Sequence, residues 1–140
     1  MNYTTITNET QLRVKYGDID RMGYVYYGNY GLFLEYGRTE LFRSINITYK
    51  QIEEFGYIMP VTELSIKYIK PALYDQLITI KTYLNSVSNA SINFTYEIFN
   101  NQNQLLTKAF TKLACINSTT NKISRLPHVL LNYILSKTKK

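Results

Sequence analysis

The sequence predicts an α+β domain in which a curved antiparallel sheet wraps one long helix. Three observations carry this. One long segment repeats its apolar residues with the period of a helix, at Tyr30, Phe33, Leu34, Gly37, Leu41 and Ile45. Several later segments alternate apolar and polar residues with the period of a half-buried strand. The links between those segments are short, which implies hairpins and hence a meander in which each strand lies beside the last.

The elements follow in order. Leu12, Val14 and Tyr16 alternate with Gln11, Arg13 and Lys15, a first strand that ends in the turn Gly17 to Gly23. The main helix runs from about Tyr27 to near Asn46, with Glu35, Arg38 and Arg43 largely off its apolar stripe. Gly28, Gly31 and Gly37 each cost a helix up to about 1 kcal/mol relative to alanine, so their presence points to close approach by a sheet or a ligand. A short helix spans about Thr48 to Phe55, ahead of Gly56. Strands then follow through Leu64, Ile66 and Tyr68, through Ile78 to Leu84, through Ile92 to Ile98, and from Leu105 to about Asn117. Pro71 to Asp75, Ser86 to Ala90 and Asn100 to Asn103 are the predicted hairpin connections. Pro127 opens a last helix carrying Val129, Leu130, Tyr133 and Ile134. A single curved sheet of this kind leaves one face and its edges uncovered, a liability relieved by association.

Composition narrows the chemistry. The 140 residues, with three prolines, six glycines and no linker, read as a single domain over 1–140. The opening residues lack the basic and apolar regions of a secretory leader. No run approaches the roughly 20 apolar residues of a membrane helix, so cytoplasmic residence without an integral membrane segment is expected. Cys115 sits in an apolar run and reads as a buried small hydrophobe, and His128 is the one histidine, just past a helix start. This leaves little material for a zinc site or a Ser-His-Asp triad, and no metal or other cofactor is expected. The charge of +6 suits an anionic partner. Nucleic acid is disfavoured: the charge is scattered except in the tail, Lys137 to Lys140, which reads as a frayed end, and many of the 14 tyrosines fall at alternating strand positions. The asparagine sequons of this asparagine-rich chain carry no weight.

The stretch from Tyr16 to Tyr30 is the richest in chemistry. It places Asp18 and Asp20 just ahead of the helix N-terminus. Free backbone N–H groups there suit an oxyanion, and a carboxylate beside them suits a base or nucleophile, so the arrangement favours reactions of a carbonyl group.

The same residues form the pattern Tyr-x-x-x-Asp-x-x-Gly-x-Val-(Phe/Tyr)-(His/Tyr)-x-x-Tyr followed by Glu-x-x-Arg, here Tyr16, Asp20, Gly23, Val25, Tyr26, Tyr27, Tyr30, Glu35 and Arg38. It resembles the signature of the hotdog-fold acyl-CoA thioesterases of the 4-hydroxybenzoyl-CoA thioesterase type, including the Tol-Pal-associated branch. The likeness continues through Lys70-Pro71-Ala72 with Asp75 and, more loosely, to Leu126-Pro127. It implies the hotdog fold, dimers joined edge to edge and commonly paired into tetramers, and active sites at the dimer interface.

The resemblance makes Asp20 the catalytic group, as general base or as nucleophile; a turn-forming aspartate is the structural alternative. Asp18 is read as a turn residue that tunes its neighbour. The backbone amides of Tyr27 and Gly28 are the candidate oxyanion donors. Glu35 and Arg38, three apart, read as an ion pair or a buried polar cluster near the interface, and the sequence does not place Arg21. For the coenzyme A phosphates the candidates are Lys122 and Arg125, the latter offset by one from the basic residues of relatives. The Ser86 to Ser91 hairpin lacks the arginine that relatives place there, so Ser88, Asn89 and Ser91 are expected to give neutral hydrogen bonds. The reaction implied is hydrolysis of an acyl-CoA to free acid and coenzyme A. Acyl-carrier-protein thioesters are the alternative substrate, and a non-catalytic acyl-CoA or acyl-carrier-protein binding module is the rival of another class. A hotdog hydratase would need an Asp/His pair, and His128 lies on the wrong element.

Overall fold

A computed structural model describes residues 6–138. It contains eight strands, β1 (Ile6–Arg13), β2 (Tyr57–Ile58), β3 (Val61–Tyr68), β4 (Leu77–Val87), β5 (Ser91–Phe99), β6 (Leu105–Ala114), β7 (Ile116–Asn117) and β8 (Lys122–Ile123). The helices are α1 (Tyr30–Ser44), α2 (Tyr49–Glu54) and α3 (His128–Thr138). Lys137 thus belongs to a helix rather than to a frayed tail, and Lys139 and Lys140 lie outside the described residues. Among the described residues no helix is long and apolar enough to cross a membrane.

The main sheet has the order β1-β4-β5-β6-β3, every neighbouring pair antiparallel, and β2-β7-β8 form a small second sheet. The meander is confined to β4, β5 and β6. The expected hairpin at Pro71 to Asp75 is instead a crossover, because β3 pairs with β6 and lies three strands from β4, about 14 Å at ordinary strand spacing. Long-range bonds hold this segment in place: the Ala72 carbonyl accepts from the Val25 amide at 2.9 Å, and the Asp75 amide donates to the Val14 carbonyl at 3.0 Å. The crossover therefore packs against the loop that carries Asp18 and Asp20. Tyr16, expected to close the first strand, sits past its end in a short 3-10 turn and is exposed.

α1 packs on one face of the sheet. Tyr30, Phe33, Leu34, Leu41 and Phe42 face β1, β4 and β5 and share one core with Ile6, Ile80, Phe94, Tyr96 and, from β6, Leu113, all nearly without solvent contact. Gly37 is what lets helix and sheet meet: a Cβ there would run into Thr82 Oγ1 and stand 2.9 Å from Ile80 Cγ2. Gly31, by contrast, has open space beside it. The helix ends at Asn46, φ 71°, with the Ile47 amide donating to Phe42 and the Asn46 amide to Arg43, the two bonds of a left-handed helix stop. Thr48 then caps α2 reciprocally with Gln51.

Arg38 departs from its expected place off the stripe, being only 7 % exposed. Its guanidinium donates to the phenols of Tyr49 (3.2 Å) and Tyr96 (3.4 Å), and Tyr96 in turn bonds Thr111. The outcome is the buried polar cluster, with Glu35 exposed and not ion-paired to Arg38. Burial pushes the Tyr49 phenol up to about 12, against the pull of the Arg38 charge, so the cluster holds a cation among neutral phenols.

The two outer strands differ. β1 keeps Ile6 inward and turns Glu9, Gln11 and Arg13 to solvent, with Glu9 3.6 Å from Lys81. β3 is open along nearly its whole length, leaving Val61, Leu64 and Tyr68 each roughly half exposed.

Candidate active site

The site begins in the loop between β1 and α1, which the backbone ties tightly. The Asp18 carbonyl accepts from the Tyr26 amide and from Asn29 Nδ2, both at 2.9 Å, and Asp18 Oδ2 accepts from the Lys15 amide at 2.8 Å. Asp18 is thus a turn residue, as the sequence suggested. Asp20 uses one oxygen the same way. Its Oδ1 accepts from the amides of Met22 (2.8 Å) and Tyr24 (3.3 Å), closing a turn through Gly23 at φ 80°. Oδ2 has no hydrogen-bond partner among the described residues, which leaves it free for chemistry.

Tyr27 and Gly28 lie in a turn of 3-10 helix, Tyr27–Asn29, that precedes α1, so the long helix itself starts three residues later than its periodicity suggests. The Asn29 amide returns to Tyr26 and the Tyr30 amide to Tyr27. The amides of Tyr27 and Gly28 find no acceptor among the described residues. Two such N–H groups at the positive end of a helix dipole are able to donate to an oxygen that carries negative charge.

Asp20 and Tyr27 line one cleft of about 280 Å³. The sequence reading missed the rest of its wall: Tyr24, Tyr30 and Tyr68, with Met22, and Ile69 to Pro71 from the crossover. Tyr30 is buried, accepts from the Ala72 amide at 3.4 Å, and meets Tyr68 edge to face at 5.0 Å. Burial pushes both phenols above their ordinary range, so they are neutral at physiological pH. Tyr68 also donates to the Tyr27 carbonyl at 3.1 Å. Its place at the end of an alternating strand was visible in the sequence; the crossover that brings it here was not.

A second cleft, about 380 Å³, collects Ser88, Asn89 and Arg125, three of the five residues proposed for substrate binding, with Tyr57, His128 and Leu131. Backbone bonds from Leu126 to Asn89 and from Cys115 to Ala90, each 2.9 Å, dock the Arg125 segment on the β4–β5 turn. Ser91 stands behind this wall, its hydroxyl 2.6 Å from that of Ser88. Lys122, on β8, is exposed and does not line the cleft. Cys115 is fully buried with its thiol pushed up by burial, as a small core residue.

No residue lines both clefts. The first lies where β3 ends, the second near where β3 begins, since Pro60 bonds Ala114 and Ala114 pairs with Ser91. Seven steps of strand separate these ends, about 23 Å.

Residues 14–134 match the thioesterase-like superfamily. The chain belongs to that superfamily. Among its relatives is the acyl-CoA thioesterase YbgC of Haemophilus influenzae, 36% identical over 76% of this chain and 78% of the relative. The putative acyl-CoA thioesterase YneP of Bacillus subtilis is 29% identical over 82% of this chain and 83% of its own. The solved DHNA-CoA thioesterase of Staphylococcus aureus superposes with a TM-score of 0.86 at 30% identity, covering 93% of this chain and 91% of that one. The superfamily's hotdog architecture is therefore the fold of this chain, and Asp20 and the Tyr27–Gly28 turn lie within the matched residues.

Proposed function

We propose that this thioesterase-superfamily protein hydrolyses acyl-CoA thioesters to a free acid and coenzyme A, with Asp20 as the reactive carboxylate. The observation that carries the reading is that the loop from Tyr16 to Tyr30 holds a carboxylate oxygen of Asp20 and two amides at a helix N-terminus that have no partner among the described residues, with Asp20 and Tyr27 lining the same cleft. The amides of Tyr27 and Gly28 hold the thioester oxygen as it gains negative charge. In one route Asp20 takes a proton from water as the water oxygen attacks the carbonyl carbon. The tetrahedral intermediate collapses, the carbon–sulfur bond breaks, and the leaving thiolate is protonated. In the other, Asp20 attacks the carbonyl, releases the thiolate and forms a mixed anhydride that water then opens. Neither route passes through a metal, and among the described residues no three His, Cys, Asp or Glu side chains cluster.

The separation of the two clefts is the argument for a dimer. A second copy pairing its β3 antiparallel to this β3, about a two-fold axis near the strand centre, sets the end of one strand beside the beginning of the other. The Asp20 cleft of one protomer then adjoins the Arg125 cleft of its partner. This brings acyl and nucleotide ends of one substrate within reach and covers Val61, Leu64 and Tyr68. Arg125 engages the phosphates through charge-assisted hydrogen bonds, with Ser88 and Asn89 supplying neutral ones.

A panel of acyl-CoA and acyl-carrier-protein thioesters, read by thiol release, tests the activity. Oxygen-18 incorporation into Asp20 during a single turnover in labelled water establishes the anhydride route with water opening the aspartyl carbonyl, and borohydride trapping of the anhydride detects that route when water attacks the acyl carbonyl instead. If no thioester in the panel is cleaved, the binding-module reading replaces this one.

A further inference from the structure

The Tyr68 phenol reaches across from the last position of β3 to a carbonyl 41 residues away in sequence, that of Tyr27. That carbonyl oxygen and the Gly28 N–H are two ends of one peptide group. The group is planar and stiff, so whatever fixes the direction of the oxygen fixes the direction of the N–H. Two donors converge on the oxygen, the Tyr68 hydroxyl at 3.1 Å and the Tyr30 amide. Each bond also draws electron density toward the oxygen and makes the N–H at the other end a stronger donor. The phenol is itself held: its ring lies edge to face against Tyr30, which is 2 % exposed and tied to Ala72. Gly28 has little freedom on its other side, where the Tyr26 ring covers it; a Cβ at Gly28 would stand 2.6 Å from that ring.

We propose that Tyr68 is a positioning residue for the reaction, orienting and polarising the Tyr27–Gly28 peptide so that its N–H points at the thioester oxygen. The assignment rests on the thioesterase reading. It also links the oxyanion site to the edge strand, because the residue that sets the peptide belongs to β3 rather than to the loop around Asp20.

Tyr68→Phe removes the hydroxyl and keeps the ring. With a thioester that the wild type cleaves, kcat should fall about 10-fold, less than the loss of an oxyanion donor itself, while KM stays within about 2-fold and mass in solution is unchanged. A second readout is the infrared band of the thioester carbonyl bound to Asp20→Asn. The band should lie below its position in free substrate, and adding Tyr68→Phe should move it back toward that position. A purely structural phenol would lower the melting temperature and leave kcat and the band alone. If the variant folds poorly, the band of substrate held by the folded fraction decides. Unchanged kcat with an unmoved band overturns the assignment, as does a kcat loss that tracks loss of assembly. An inactive wild type would sink the thioesterase reading, whereas an active wild type beside an indifferent Tyr68→Phe sinks this assignment alone.

Discussion

The two clefts are built from opposite materials. Around Asp20 the groups put forward for the reaction include two backbone amides, and the turn from Tyr16 to Tyr30 fixes its backbone with short local bonds, leaving one carboxylate oxygen and those two amides without partners among the described residues. Around Arg125 the groups put forward for binding belong to side chains, most of them exposed, and the walls come from three parts of the chain. The difference follows from the tasks proposed for them. Stabilising charge that exists only in a transition state requires donors that do not reorganise. Holding phosphates that are charged throughout requires a cation that can follow them. The first cleft should therefore show itself in kcat and the second in KM.

The largest break in that contrast is Asp20→Asn, which keeps an Oδ1 acceptor for the Met22 and Tyr24 amides but removes the charge and the proton acceptor. kcat should fall by about 10²-fold to 10⁴-fold with little change in melting temperature. Asp20→Ala should lose the same activity and about 1 kcal/mol of stability as well, since both turn bonds go. Asp18→Asn should do much less to kcat. Wild-type turnover by a folded Asp20→Asn protein would remove the catalytic half of the comparison.

Next comes the strand that would bring the clefts together. Leu64→Arg puts a charge on the open edge of β3. Light scattering should show the dimer, or a tetramer built from it, reduced to monomer of about 16 kDa. Activity at micromolar protein should fall about 10-fold or more, because each cleft loses its complement. An active monomer would show that one chain holds the whole site.

A smaller effect is expected at the second cleft. Arg125→Ala should raise KM for acyl-CoA several-fold with kcat nearly constant, the difference should shrink in high salt, and a pantetheine thioester should not register it. Since Lys122 does not line the cleft, Lys122→Ala should add little. The smallest effect is Ser88→Ala, within about 2-fold in KM, because that hydroxyl is already paired with Ser91.

Much of this was legible in the sequence where the signal is local. The stripe from Tyr30 to Leu41, the turn around Asp20 and the alternation of β4 to β6 each depend on residues a few positions apart. Partners far along the chain were not legible. Nothing in the length of Pro71 to Asp75 distinguishes a hairpin from a crossover; the structure marks it by Ala72, fully buried between two exposed neighbours. Glu35 and Arg38 read as either an ion pair or a buried polar cluster, and the choice was not legible because the phenols that accept the Arg38 hydrogen bonds sit on α2 and β5. Asp20 read as either a turn former or a reactive group; its Oδ1 takes the first role, and the second remains the proposal that Asp20→Asn tests. Placing Lys122 with Arg125 failed for the same kind of reason: the short strand β8 takes one out of the cleft that the following segment brings the other into.

The unlike margins of the sheet also set how far self-association can run. A sheet that joins copies only through β3 consumes that margin in the first union. What remains outermost on both sides is β1, with Glu9, Gln11 and Arg13 facing water. A third copy arriving there would have to strip water from charged side chains and displace the Glu9–Lys81 contact, for no apolar surface in return. If copies join through β3 as proposed, growth along the hydrogen-bonding direction would close at two copies, and the open strand would not bring the fibre-forming tendency that such a strand ordinarily brings.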